Sequence, residues 1–307
     1  MIQLTQTGKN PLIIANPVMP ATGTFGFDGA GYRNLVDISK LGALVTNPVT
    51  WRARKVARGS RVVPLPAGVL VHTGLPNPGM ARVVKQYEPA WASSPIPVIV
   101  HVVTTTPDDV GRCLDILERV ESVAAVELGL HDQASPEDVY HLLQIAQEVS
   151  MLPLLVRVPL YNALTLAQAA QDAGAGAVVV AAPPRGTTRD PETGQLVGGR
   201  VYGPWLHAQS LRAVGQIARA VAIPVIGCGG VHTSDHARDF VEAGASAVQV
   251  DVATWVQPRT IEIIARNLGG LELTRAAGAL PDEWEPGMGV TMLNQRAAQP
   301  PPDSLPE

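Results

Sequence analysis

The sequence predicts an α/β chain folded as a (β/α)8 barrel with a short N-terminal β-hairpin, and three observations carry that prediction. Short β-branched runs alternate with amphipathic stretches along most of the chain. Hydrophobic residues make up 46% but aromatics only 4%, so Val, Leu, Ile and Ala must fill the interior. That is the make-up of parallel strands buried on both faces. Finally, the pairs Gly42-Ala43, Gly174-Ala175 and Gly244-Ala245 precede strand candidates, where a close helix-to-strand turn needs a small or left-handed residue.

Taken in order, Ile2–Thr5 and Leu12–Ile14 flank a Thr-Gly-Lys-Asn turn and read as the hairpin. Strands are expected at Ala43–Thr46, Gly68–His72, Val98–Val102, Ala124–Leu128, Leu154–Val158, Ala177–Ala181, Pro224–Cys228 and Ala247–Asp251. Helical patterns fall at Gly29–Lys40, Pro78–Ala92, Pro107–Val120, Pro136–Val149, Thr165–Ala173, Pro204–Val221, Thr233–Glu242 and Pro258–Asn267. Start signals support several, such as Ser135-Pro136 before Glu137 and Asp138. Eight strands alternating with eight helices imply right-handed βαβ units, and closing them leaves no sheet edge. The rival, an open doubly wound sheet, lacks a GxGxxG after its first strand. Residues 1–298 read as one domain, and the Pro-rich segment 299–307 as a disordered tail.

A net charge of −4 without a basic cluster argues against nucleic acid as a partner. Two cysteines, Cys113 and Cys228, build no disulfide framework, which suits a reducing cytoplasm. Met1–Lys9 has no apolar signal core, and the most apolar segment, Ala173–Pro184, is too short to span a bilayer. No Cys/His spacing marks a metal site.

Barrel active sites lie at the C-terminal strand ends. Here those ends offer Asn47, His72, His101, Glu127, His131, Asp132, Arg157, Ala182, Gly229, Gly230 and Asp251. Gly229-Gly230, between a strand and a helix, lets backbone N–H groups approach a phosphate, or simply makes a tight turn. Arg157 inside a barrel mouth needs an ion-pair partner or an anion. Asp251 beside a phosphate is repulsive unless it turns away, pairs with Arg157 or holds a cation. His131 and Asp132 form a loop pair able to exchange protons. Cys228 reads as a small buried hydrophobe.

The run Asn16-Pro-Val-Met-Pro-Ala-Thr-Gly-Thr-Phe-Gly26 resembles the opening motif of the dihydroorotate dehydrogenase family. Leu41–Thr46, Gly74-Leu-Pro-Asn-Pro-Gly79, Gly198-Gly199, Gly203-Pro204, Gly227–Gly230 and Gly244–Val250 extend the resemblance from about Leu4 to Val256. It is similar to the soluble class, whose members bind FMN on the strand ends and pass a hydride from dihydroorotate to the flavin. By that resemblance Ala21, Thr22, Gly23, Asn47, Arg157, Gly229 and Gly230 hold FMN, with Asn47 and Arg157 standing where relatives carry lysines. Asp251-Val252 replaces the Gly-Thr or Gly-Ser half of the phosphate cradle. Asn77 is retained as a substrate ligand, whereas the other substrate asparagines become Val71, Gly129, Ala134 and Ala182. Asp132 stands in the place of the catalytic cysteine, with His131 beside it as the other catalytic candidate. The resemblance also implies a homodimer or an iron–sulfur flavoprotein subunit as partner.

Three functions follow as expectations. One is an FMN-dependent oxidoreductase of this kind, with a different, more apolar small-molecule substrate expected in place of dihydroorotate. Another is a catalytically inactive relative serving as a binding or regulatory barrel. The third is a flavin-free enzyme that handles a phosphorylated metabolite at Gly229-Gly230.

Overall fold

The computed structural model describes residues 1–5 and 10–276. The tail at 299–307 and most of the hairpin turn lie outside the described residues. Strands β1 (Ile2–Gln3) and β2 (Ile13–Ile14) pair antiparallel as the hairpin. Eight parallel strands then form the barrel: β3 (Val18–Pro20), β4 (Leu44–Val45), β7 (Val98–Val103), β8 (Val123–Gly129), β9 (Leu154–Pro159), β10 (Ala177–Ala182), β13 (Val225–Cys228) and β14 (Ala247–Val250). Their order around the sheet is β3-β14-β13-β10-β9-β8-β7-β4. The ends meet where the Gly42 N–H donates to Val18 O at 2.8 Å. The remaining strands, β5 (Val62–Leu65), β6 (Gly68–Val71), β11 (Arg185–Arg189) and β12 (Leu196–Tyr202), form a four-stranded antiparallel sheet.

One strand assignment needs correcting. Gly68–His72 is not a barrel strand; β6 belongs to the antiparallel sheet, paired with β5 and β12. The first barrel strand is β3, three residues inside what reads as a Pro- and Gly-rich loop. Pro20 is tolerated there because it ends the strand. Both runs are short and apolar, and periodicity cannot tell a barrel strand from a rim strand. His72 therefore sits on the rim, its N–H donating to Arg61 O.

The first helix also differs. Gly29–Lys40 forms two 3-10 turns, Ala30–Tyr32 and Ile38–Lys40, rather than an α-helix. Gly29 is left-handed (φ 68°), and the Asp37 side chain accepts from Ser39 N, a turn contact that competes with helix. The other connections are α1 (Met80–Ala92), α2 (Pro107–Leu117), α3 (Pro136–Val149), α4 (Ala163–Asp172), α5 (Leu206–Ile217), α6 (Ser234–Glu242), α7 (Ala253–Val256) and α8 (Thr260–Ala276). Ser135 opens α3 with a reciprocal capping box to Asp138, and Thr106 caps α2.

Strand alternation divides the core in two. Outward residues such as Val100, Val126, Val156, Val178 and Val248 pack beneath the helices. Inward residues such as Met19, Val45, Ile99, Ala125, Leu155, Val179 and Ile226 fill the barrel, and Leu4, Leu12 and Ile14 of the hairpin segment pack onto that inner cluster. The antiparallel sheet is fed by the chain leaving β4 and β10, so it roofs the C-terminal face.

Candidate functional site

The inward positions at the top of the barrel are polar. Strand register sets His101 of β7 opposite Glu127 of β8 and Cys228 of β13 opposite Gln249 of β14, while Arg157 follows two positions after Leu155 on β9. Period-2 alternation therefore delivers all five to one layer above Ile99, Ala125, Leu155 and Ile226. They bond to one another. His101 Nδ1 meets Glu127 Oε1 at 2.8 Å, and Gln249 Nε2 donates to Glu127 Oε2 at 2.6 Å. Arg157 donates to Gln249 Oε1 at 2.5 Å, to Cys228 Sγ at 3.1 Å, and to Glu127 Oε1 at 3.4 Å. Glu127 has no exposed surface. Burial alone would raise its pKa, but the His101 hydrogen bond and the charge of Arg157 outweigh that and hold it at about 2. Burial lifts the Cys228 thiol to about 11, so it is no thiolate nucleophile.

Around this layer the loops take up their own contacts. After β3, Thr22 Oγ1 donates to Thr46 O at 2.8 Å, laying Ala21–Gly23 against the end of β4. Asn47 follows β4, its N–H bonded to Gly26 O, yet its buried Oδ1 has no partner. After β8, Asp132 pairs with Arg200 of β12, which also donates to Pro183 O at 2.8 Å. Arg185 of β11 approaches the same carboxylate at 3.9 Å. His131 is exposed to solvent on that loop. Tyr202 of β12 lies within the charge field of Arg157 and Asp251, and burial lifts its phenol to about 12.

The corner between β13 and β14 is built from Gly229 (φ 119°) and Gly230 (φ 71°). A Cβ on Gly230 would stand 2.4 Å from the His207 backbone N of α5, whereas one on Gly229 would meet the rotatable Ser210 Oγ at 2.4 Å, so packing demands the second glycine and the left-handed backbone favours both. Asp251 points into this corner. Its Oδ1 is buried without a partner. Burial raises its pKa, against the pull of His232, the Gly230 amide, Arg157 and the Val252 amide. Arg157 makes its direct contacts elsewhere, so Asp251 is not its ion-pair partner. Among the described residues no cluster of His, Cys, Asp or Glu is placed to hold a metal ion.

The arrangement thus combines a barrel mouth, a loop laid over it from β3, and a glycine corner at β13. A family model described as dihydroorotate dehydrogenase matches residues 6–271. The chain belongs to the dihydroorotate dehydrogenase family. It is 31% identical over 272 residues to the dihydroorotate dehydrogenase B (NAD(+)) catalytic subunit of Geotalea uraniireducens, covering 83% of this chain and 88% of that one. The catalytic subunit of the same name from Desulforudis audaxviator is 33% identical over 273 residues, with 84% and 89% covered. That from Bacillus caldolyticus is 30% identical over 276 residues, with 85% and 88% covered.

Set against dihydroorotate dehydrogenase motifs, the substrate side is closed by internal contacts. Asn77 Oδ1 accepts from Thr50 N at 3.3 Å and from Gly79 N at 3.0 Å, and its Nδ2 donates to Thr50 Oγ1 and Leu75 O. The side chain is spent on holding its own loop. At Gly129 a Cβ would stand 2.6 Å from His101 Nε2, so the imidazole fills the space an asparagine would need.

The family's FMN fits this chain in part. Ala21–Gly23 and the unpartnered Asn47 Oδ1 offer a platform and an acceptor to a ring carrying N–H donors. The phosphate half does not fit, because the Asp251 side chain is buried at this corner with its Oδ1 already an acceptor without a donor.

Several of these partners escape a reading of the motifs. Arg200 and Arg185 lie on a rim hairpin whose sequence gives no hint of Asp132. Gln249 is traceable, as the one polar residue in Ala-Val-Gln-Val, two positions from Ala247 and hence inward.

Proposed function

We propose that the chain is a flavin-dependent oxidoreductase of its family whose substrate is not dihydroorotate. The observation that carries this reading is the unpartnered Asn47 Oδ1 at the end of β4 beside Thr22. A buried acceptor left without a donor costs roughly 1–3 kcal/mol. A flat ring with N–H donors laid over the strand ends removes that cost. Bound there, a flavin supplies the hydride acceptor. Ala21–Gly23 carry the ring, with Thr22 fixed by its bond to Thr46. Arg157 keeps one fixed positive charge beneath the mouth, locked by Glu127 and Gln249.

The closed substrate side supports a ligand other than dihydroorotate. A site built for hydrogen bonds discriminates by about 10⁴–10⁵ when those bonds are missing, and here Asn77 and position 129 offer none. Asp132 and His131 remain the proton-handling candidates, with Arg200 held on one oxygen of Asp132. Free, buried Cys113 and Cys228 suit a reducing cytoplasm, and no helix among the described residues is long and apolar enough to cross a membrane. The relatives are named as catalytic subunits, which supports a partner subunit, an iron–sulfur flavoprotein, or a second copy of this chain.

A second reading, the catalytically inactive binding barrel, is favoured by the Asp132–Arg200 contact. The two separate cleanly. The purified protein is titrated with FMN and with riboflavin while absorbance and flavin fluorescence are followed. Uptake of either, with quenched fluorescence, supports the oxidoreductase, and dihydroorotate should then fail to bleach the bound flavin. A protein that takes up neither is the binding barrel.

A further inference from the structure

We infer that Asp251 turns the glycine corner between β13 and β14 into a hydroxyl site, so that the ligand held over the strand ends carries no phosphate. Only the naming of that ligand as a flavin rests on the function proposed above; the chemistry of the corner stands by itself.

Three observations converge. First, the side chain is inside: Asp251 is 3% exposed, and the Gly230 and Val252 amides both act on its carboxylate. Those are the backbone donors that a phosphate at this corner would need. The buried carboxyl group stands beside them. Second, the two glycines are held in place by their neighbours. Gly229 and Gly230 are pressed against Ser210 and His207 of the α5 segment, and His232 Nδ1 and His236 Nδ1 each lie 3.1 Å from Gly230 O. Third, Oδ1 of Asp251 is an acceptor without a donor. A hydroxyl donates one proton and carries no charge, so it satisfies that oxygen. A phosphate brings more acceptors and negative charge to an acceptor already there.

The sheet order gives the ligand its length. Asp251 follows β14 and Asn47 follows β4, the two neighbours of β3. Two strand spacings, about 10 Å, separate them. The loop Ala21–Gly23 lies between. Each end of that strip presents one unpartnered acceptor. A ring with an N–H edge joined to a hydroxylated chain matches both ends, and riboflavin is the flavin of that form. Asp251 is thus a specificity-determining residue.

The test compares wild type, Asp251→Asn and the pair Asp251→Gly with Val252→Thr. Dissociation constants for riboflavin and FMN are measured by fluorescence quenching. Wild type should bind riboflavin at least as tightly as FMN, and the double variant should shift the ratio at least about tenfold toward FMN, which is 1.4 kcal/mol. In parallel, the unfolding temperature is recorded with low millimolar inorganic phosphate against chloride at equal ionic strength. Phosphate should leave wild type unmoved and raise the double variant. Asp251→Asn removes the charge with little change of shape and should fall between them. FMN bound tenfold tighter than riboflavin by wild type overturns the inference, as does equal stabilisation of all three proteins by phosphate. If no form takes up any flavin, the phosphate measurement still decides the corner, and the failure falls on the flavin reading alone.

Discussion

Replacing Arg157 by methionine isolates the buried charge layer. Arg157 and Glu127 are 3% and 0% exposed, and their charged atoms approach to 3.4 Å. At an effective dielectric near 20, unit charges at that distance attract by about 5 kcal/mol. Methionine keeps much of the stem but leaves Glu127 with only His101 and Gln249, and removing one partner of a buried pair costs roughly 3–5 kcal/mol. For a chain of this size that corresponds to a fall in Tm of about 5–8 °C. Urea unfolding followed by circular dichroism measures it directly. Glu127→Leu in the same background removes the stranded carboxylate and should recover at least half of the loss. A loss below about 1 kcal/mol for Arg157→Met, or a double variant as weak as the sum of the singles, would refute the claim that these charges stabilise as a pair.

Acid should reveal the same group. The Glu127 pKa is depressed from its ordinary 4.5 to about 2, so its stabilisation is full above 4.5 and lost as pH falls toward 2. About 3 kcal/mol should disappear across that window, and Glu127→Gln should flatten this limb of the stability–pH curve. Asn77→Ala strands the Thr50 and Gly79 amides and should cost about 2–4 kcal/mol, read as a lower urea midpoint. Unchanged stability would mean that Asn77 is free for a ligand after all. Gly230→Ala sets a Cβ 2.4 Å from His207 N at φ 71° and should cost more than about 2 kcal/mol. A variant that melts with wild type would show that α5 does not dictate this glycine.

The barrel was legible because seven of its eight strands are short apolar, mostly β-branched runs that recur between helical patterns. Val18–Pro20 was not, since three residues ending in proline carry too little pattern to separate from a loop. Gly68–Val71 misled for the opposite reason, being β-branched enough for the barrel yet paired at the rim. At the site, the lone charge in Leu-Leu-Val-Arg-Val announced Arg157, but its partner Glu127 lies 30 positions away on a neighbouring strand. Asp132 was legible as a carboxylate and illegible as an ion pair, because Arg200 is 68 positions downstream. Asp251 stood out as a misfit beside the two glycines; only the fold showed that its Oδ1 is buried without a donor.

The roof over the mouth has a further consequence, for the order in which the molecule assembles and comes apart. Its two hairpins enter from opposite sides of the barrel and pair through β6 against β12, with Ser60 also bonded to Asp190 from 130 positions away. Pairing across such chain separation must wait until the strands beneath have closed, so the roof is a late arrival in folding. In the native state the roof is tied to the barrel through its rim, by Arg200 and Arg185 on Asp132 and by Arg200 on Pro183 O. Its amides at Val69–Val71 and Arg200–Tyr202 should exchange with solvent together, and earlier than those of β8 and β9, by an opening that leaves the barrel shut.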